Sequence, residues 1–182
     1  TVKLYAPLYI SNYCVNNCKY CGFKADNSQA RRRLTPIEIE AEAKSLKNSK
    51  IDSVLVVCGE DPEYLTVDFI EETIQILKKF FSSISLEIFP LDTAAYERLV
   101  KAGASGLLVY QETYDRKLYD SLHSGPKKDF IFRLESASRA AEAGFHKIGL
   151  GVLLGLKNWI YDAAAMAVHA EWLRKKFWKT AI

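Results

Sequence analysis

The sequence predicts an α/β fold made of parallel β/α units. Three observations carry this. Short apolar runs alternate with stretches of helical period. Several of those runs are continuously apolar, as in strands buried on both faces. The distinctive polar groups fall just after the apolar runs, where parallel α/β folds gather their functional side chains.

Leu4 to Ile10 reads as the first strand. The first helix starts with Thr35 as cap, Pro36 at the first helical position and Glu38 closing a capping box. Ile39, Ala43 and Leu46 then share one face. Ser53 to Cys58 is a continuous apolar strand ending in Gly59-Glu60-Asp61-Pro62, followed by a helix near Val67 to Phe81 with Ile70, Ile74, Leu77 and Phe81 in register. Ser85 to Phe89 forms a third strand stopped by Pro90, and Thr93 to Ala102 a third helix stopped by Gly103. Gly106 to Tyr110 is the fourth strand and runs into Gln111-Glu112-Thr113. A longer connection holding Ser124-Gly125-Pro126 precedes a fourth helix, about Phe130 to Ala143. Ile148 to Leu154 and Ala163 to Phe177 supply the fifth strand and helix.

These are five β/α units in one domain, residues 1–182, with no linker or low-complexity tract. An eight-unit barrel takes about 250 residues. The chain therefore reads as the first five units of a larger barrel, cut after the fifth helix, with an open edge at strand five.

Apolar residues at 49% and charged ones at 26% describe an ordinary globular chain. The net charge of +3 is too small to argue for nucleic acid, and the runs Arg31-Arg32-Arg33 and Arg174-Lys175-Lys176 read as solvated faces. No apolar run approaches the roughly 20 residues that span a bilayer. Four cysteines without a targeting segment fit a reducing cytoplasm.

The chemistry concentrates in Cys14-Val15-Asn16-Asn17-Cys18-Lys19-Tyr20-Cys21, directly after the first strand. A C-x3-C-x2-C loop wraps three thiolates around one corner of a cubane and leaves the fourth iron of a [4Fe–4S] cluster free for a small molecule. A zinc site would want a fourth ligand in a second pair, and no His or Cys follows nearby. Structural or redox thiols are the other alternative. Cys58, far along the chain, reads as a small core residue. His123, His146 and His169 are scattered and pair with nothing in sequence.

The Cys loop after an apolar strand resembles the signature of the radical S-adenosylmethionine (SAM) superfamily, which implies a TIM-like barrel. Ala6-Pro7-Leu8-Tyr9-Ile10-Ser11-Asn12-Tyr13-Cys14 through Gly22-Phe23 resembles its aromatic amino acid lyase branch. The run Gly106 to Asp115, with Glu87-Ile88-Phe89-Pro90-Leu91 and Lys147 to Leu156, is most similar to the tyrosine lyases of thiazole synthesis. Gly59-Glu60-Asp61-Pro62 and Ser124-Gly125-Pro126-Lys127 lean toward the hydrogenase maturases of the same branch.

The resemblance implies Cys14, Cys18 and Cys21 as cluster ligands and SAM as second cofactor. It matches Tyr20 to an aromatic whose backbone meets adenine, and Gly59-Glu60 to a segment that meets the methionyl ammonium. Gln111, Glu112 and Thr113 match a ribose-binding position, without telling which of the three makes the contact. Arg133 matches an arginine that pairs with the SAM carboxylate, where a planar guanidinium fits bidentately. Gly151-Val152-Leu153-Leu154-Gly155 matches a strand passing the adenine, with Gly151 and Leu153 as contacts. Asn158 departs from the acidic residue usual in that region. The implied partners are tyrosine as substrate, a flavodoxin or ferredoxin as reductant, and a thiazole synthase. The implied substrate-holding segment lies beyond the fifth unit, so no substrate or catalytic residue is assigned. A non-catalytic metal-binding fragment is the remaining alternative.

Overall fold

The computed structural model describes residues 4–182. Five parallel strands stand side by side in sequence order: β1 (Ala6–Ser11), β2 (Ser53–Cys58), β3 (Ser83–Glu87), β4 (Gly106–Leu108) and β5 (Lys147–Gly149). This is the order in which a β/α barrel winds. The ladders run Leu8 to Val56, Val56 to Leu86, Leu86 to Leu107 and Leu107 to Ile148, so one row of apolar side chains crosses the whole sheet.

Helices α1 (Pro36–Asn48), α2 (Val67–Leu77) and α3 (Thr93–Ala102) cover the first three strands. Each is started by a side chain that accepts a backbone N–H: Thr35 in a full capping box, Thr66, and Asp92. Ile39 and Ala43, then Ile70, Ile74 and Leu77, then Tyr96 and Leu99 turn inward and are buried against Leu8, Ile10, Val54, Ile84 and Leu86. α3 ends at Gly103, whose φ of 127° suits a residue without a Cβ.

The later units depart from the sequence expectation. The connection after β4 contains a helix the periodicity did not reveal, α4 (Arg116–Leu122), capped by Asp115, and a 3-10 turn over Gly125–Lys128. The expected fourth helix is two segments, α5 (Phe130–Leu134) and α6 (Ser136–Glu142), meeting at Glu135. The long last helix, α7 (Trp159–Lys176), starts four residues earlier than its apolar pattern suggests, because Asn158 caps it. Among its residues only Asp162 and Leu173 are buried.

β3 lies two residues before its expected place, and β5 is three residues long rather than seven. In both cases the apolar run continues past the ladder: Ile88 and Phe89 turn toward a cavity, and beyond Gly149 only Val152 makes a bridge, to Glu112. The edge of β5 is not bare. Ala181 pairs with Lys147 in parallel, Ile148 N–H donates to Ala181 O at 2.8 Å, and Ala181 N–H donates to His146 O at 2.9 Å.

Candidate cofactor site

A cavity of about 280 Å³ opens at the C-terminal ends of the strands. It is lined by Cys14, Cys18 and Cys21 from the loop after β1, by Gly59 and Glu60 after β2, by Glu87, Ile88 and Phe89 at the end of β3, by Tyr110 and Glu112 after β4, and by Lys127 and Arg133. Residues spread over 120 positions of sequence meet here because parallel strands all deliver their C-terminal ends to one side.

The Cys loop is fastened on every side. Val15 N–H donates to Glu60 O at 2.8 Å, and Gly59 N–H to Ser11 O at 3.2 Å. At Gly59 a Cβ would stand 2.2 Å from the Tyr13 carbonyl oxygen, so only glycine lets the second loop approach the first this closely. Arg31 gathers the turn that follows: its guanidinium donates to the carbonyls of Asn12 and Lys24 at 2.6 Å and of Phe23 at 2.8 Å. On the far side Lys19 N–H donates to Leu122 O at 3.0 Å and Asn17 N–H to Ser124 Oγ at 2.8 Å. The helix α4 thus serves as a bracket for the thiol loop.

Tyr20 shares this bracket. His123 Nδ1 lies 2.8 Å from Tyr119 O, a carbonyl that only accepts, so Nδ1 carries the proton. Nε2 is then the acceptor for the Tyr20 hydroxyl at 2.7 Å. Burial holds His123 down at about 4, which keeps the imidazole neutral.

Of the three residues after β4, only Glu112 lines the cavity. The reason is a tight turn: Thr113 N–H donates to Gln111 O at 2.9 Å and Glu112 sits between them at φ 69°. An i to i+2 hydrogen bond about a positive φ is the strained form of the γ-turn, and it throws neighbouring side chains apart. Thr113 is fully buried the other way, its Oγ1 3.0 Å from Asp162 Oδ1. Gln111 is buried with its Nε2 unpartnered. Gly151 and Leu153 stay outside the cavity lining: Gly151 lies against the Tyr110 ring, and Leu153 N–H donates to Glu112 O at 2.8 Å.

Glu112 forms an ion pair with Lys127 at 2.8 Å, with side chains 12% and 14% exposed, and Arg133 Nη2 stands 3.9 Å away. Arg133 is held by its Nε, which donates to Tyr110 O at 2.7 Å, leaving the outer face of the guanidinium toward the cavity. Burial raises the Glu60 carboxyl, opposed by a hydrogen bond from Asn16, and burial with the nearby Glu112 raises Glu87. Burial likewise pushes the Cys18 thiol up to about 11, so ligating a metal there would release a proton. Cys58 also lines the cavity, beside the loop, and burial holds its thiol protonated.

The donor set tests the metal readings. Four thiols line one cavity, those of Cys14, Cys18 and Cys21 from one loop and that of Cys58 from the end of β2, and among the described residues no group of three or more His, Cys, Asp or Glu side chains is arranged around a single metal ion. Soft sulfur ligands spread around a larger space suit an iron–sulfur cluster, and ligation by the three loop thiols alone would leave one iron open. Cation and anion side chains across the cavity suit a zwitterionic ligand at that iron.

Asn16, Glu87 and Lys127 also belong to the site and were not singled out from sequence. Asn16 was visible, being a buried-loop amide inside the thiol motif. Lys127 lies in the 3-10 turn after the unrecognised α4, and its backbone N–H donates to Asn16 Oδ1.

An open run of parallel β/α units with a three-thiol loop beyond its first strand defines a class of cluster-dependent barrel proteins. The family model of the Radical SAM superfamily matches residues 8–167, and the chain belongs to that superfamily. It is 38% identical over 182 residues to the 2-iminoacetate synthase of Salmonella typhimurium, covering 99% of this chain and 48% of that protein. Among solved structures it matches the FeFe-hydrogenase maturase HydG from Carboxydothermus hydrogenoformans with a TM-score of 0.92 and 38% identity, over 97% of this chain and 42% of that one. Methylornithine synthase (PylB) follows at 0.81 and 32%, over 92% and 51%. The chain spans about half the length of the curated relatives it matches most fully.

Proposed function

We propose that this chain is the cluster- and SAM-binding part of a radical SAM tyrosine lyase of the 2-iminoacetate synthase type. Such an enzyme cleaves the Cα–Cβ bond of tyrosine to 2-iminoacetate and 4-methylphenol for thiamine thiazole synthesis. The observation that carries the reading is the single cavity that joins the three thiols to Glu60, Glu112 and Arg133.

Cys14, Cys18 and Cys21 would each ligate one iron of a [4Fe–4S] cluster. Glu60 faces the ammonium of SAM, Arg133 its carboxylate, and Glu112 the ribose hydroxyls, while the Tyr20 backbone and the Gly151–Leu153 segment flank the adenine. Gln111 and Thr113 then act on Glu112 by shaping its turn rather than by touching ligand. When bound, the cluster supplies the electron that splits SAM into methionine and a 5′-deoxyadenosyl radical; the protein's part is to orient and shelter. Lys127 holds Glu112 in place through their ion pair. The apolar side chains of Ile88 and Phe89 keep water from the reacting side. Tyrosine is the substrate, a flavodoxin or ferredoxin the reductant, and a thiazole synthase the recipient of the product.

The likeness to HydG at the same identity favours a second reading, tyrosine cleavage for hydrogenase maturation. The two separate on the full-length gene product: further cysteines for a second cluster in a C-terminal extension favour the second.

The test is anaerobic reconstitution with iron and sulfide, followed by EPR of the reduced protein with and without SAM. A [4Fe–4S] signal that shifts on adding SAM is expected. Zinc in place of iron, or a cluster indifferent to SAM, would overturn the reading. The 182 residues alone are expected to bind without releasing 4-methylphenol, and chromatography of a tyrosine assay checks that.

A further inference from the structure

Asn16 stands inside the thiol motif, and its side chain reaches a thiol of that motif and two distant parts of the molecule. It is 1% exposed. Its Nδ2 donates to Glu60 Oε2 at 2.7 Å and lies 3.7 Å from Cys14 Sγ. Its Oδ1 accepts from Lys127 N–H at 3.0 Å, and its own carbonyl accepts from Ala25 N–H at 2.8 Å. The fit on the Lys127 side is close: Gly125, at φ 62°, approaches so tightly that a Cβ there would stand 2.6 Å from Asn16 Oδ1. One amide therefore touches a thiol, a carboxylate and the turn that carries Lys127, three groups that sequence separates by more than 100 positions.

An amide is suited to this in a way that neither Asp nor Ser is. It donates two protons on one side and accepts on the other, so it can serve an anion pair and a backbone N–H together. Hydrogen bonds to cluster sulfurs are one of the levers that set a cluster's reduction potential. A donor shared between a cysteine sulfur and the carboxylate expected to meet the cofactor's ammonium links the two.

We infer that Asn16 is a positioning residue that holds Cys14, Glu60 and the Lys127 turn in one frame, and so sets both the cluster's reduction potential and the affinity for SAM. The inference rests on the proposed cluster reading. Asn16→Ala removes donor and acceptor without adding charge; Asn16→Asp removes the donor and keeps an oxygen facing Lys127 N–H. Both variants are expected to load iron. In both the midpoint potential moves to more negative values and SAM binding, read from the EPR change, weakens about tenfold, the loss of one charge-assisted hydrogen bond. Asn16→Ala alone speeds amide hydrogen exchange at Lys127, with or without cluster, while Asn16→Asp leaves it at the wild-type rate. Wild-type potential and SAM affinity in both variants would overturn the inference, as would unchanged exchange in Asn16→Ala. A wild-type protein that takes up no iron would instead overturn the cluster reading, and the inference with it.

Discussion

β1, β2 and β3 run for 6, 6 and 5 residues and each feeds a capped helix of 10 residues or more, whereas β4 and β5 run for 3 residues each and are joined by short helical pieces. The first half buries mainly apolar side chains, with Ser11, Asn16, Asp61 and Thr73 as its buried polar residues among many more apolar ones. The second buries Gln111, Thr113, Arg133, Ser136 and Asp162 among its apolar residues. Hydrophobic burial is non-directional and favours regular elements. Buried polar groups need particular partners at particular angles, and the backbone gives up regularity to supply them. The left-handed Glu112 between two buried neighbours that turn away from the cavity is where that exchange is clearest.

The largest expected effect separates the two halves by mechanism. Lys127→Met leaves Glu112 buried with only the distant Arg133, and should cost about 3–4 kcal/mol in urea unfolding. Adding Glu112→Gln removes the uncompensated charge and should recover most of that loss. Leu86→Ala, in the apolar half, should cost about 3 kcal/mol, and no polar second change should recover it. If the double variant stays as unstable as Lys127→Met, the contrast between the halves fails.

A pH series sharpens the same contrast. The ordinary imidazole value is near 6.5, and burial holds His123 at about 4. Between those values the unfolded chain binds the proton and the folded one does not. His123 thus contributes stability in full above about pH 6.5, and the contribution is lost as the pH falls toward 4. The loss should be about 2 kcal/mol, at about 1.4 kcal/mol per pH unit with partial screening by nearby solvent. Urea midpoints from pH 7 to 4 measure it, and His123→Gln should flatten that part of the profile. The smallest effect lies in the first half, where Thr35→Ala removes one cap and should cost about 1 kcal/mol without touching the cavity.

The same division governs what could be read from the sequence. The starts of the first three helices, the Thr35 cap, the glycine stop at Gly103 and the β2 strand were legible, because cap residues and apolar period are local signals; the second helix ends at Leu77, four residues short of the Phe81 its apolar register suggested. The thiol loop was legible because its spacing is chemistry in itself. α4 was missed because a short helix with one buried side chain, Tyr119, has little apolar period to show. The ends of β3 and β5 were misplaced because Ile88, Phe89 and the residues after Gly149 are apolar for the sake of the cavity and the next turn, not the ladder. Which of Gln111, Glu112 and Thr113 faces the cavity depends on a single backbone angle, and residue type does not encode it.

Gly59 carries a consequence for how this site tolerates change. The obstruction there is a backbone carbonyl 2.2 Å from where a first carbon would go, and it cannot swing aside as a side chain does. Damage from substitution should therefore arrive with the first methyl group and grow little with size: alanine and leucine should be nearly equal in separating Cys14 from Glu60. A library at this position would return a step rather than a gradient, with glycine alone on the upper level.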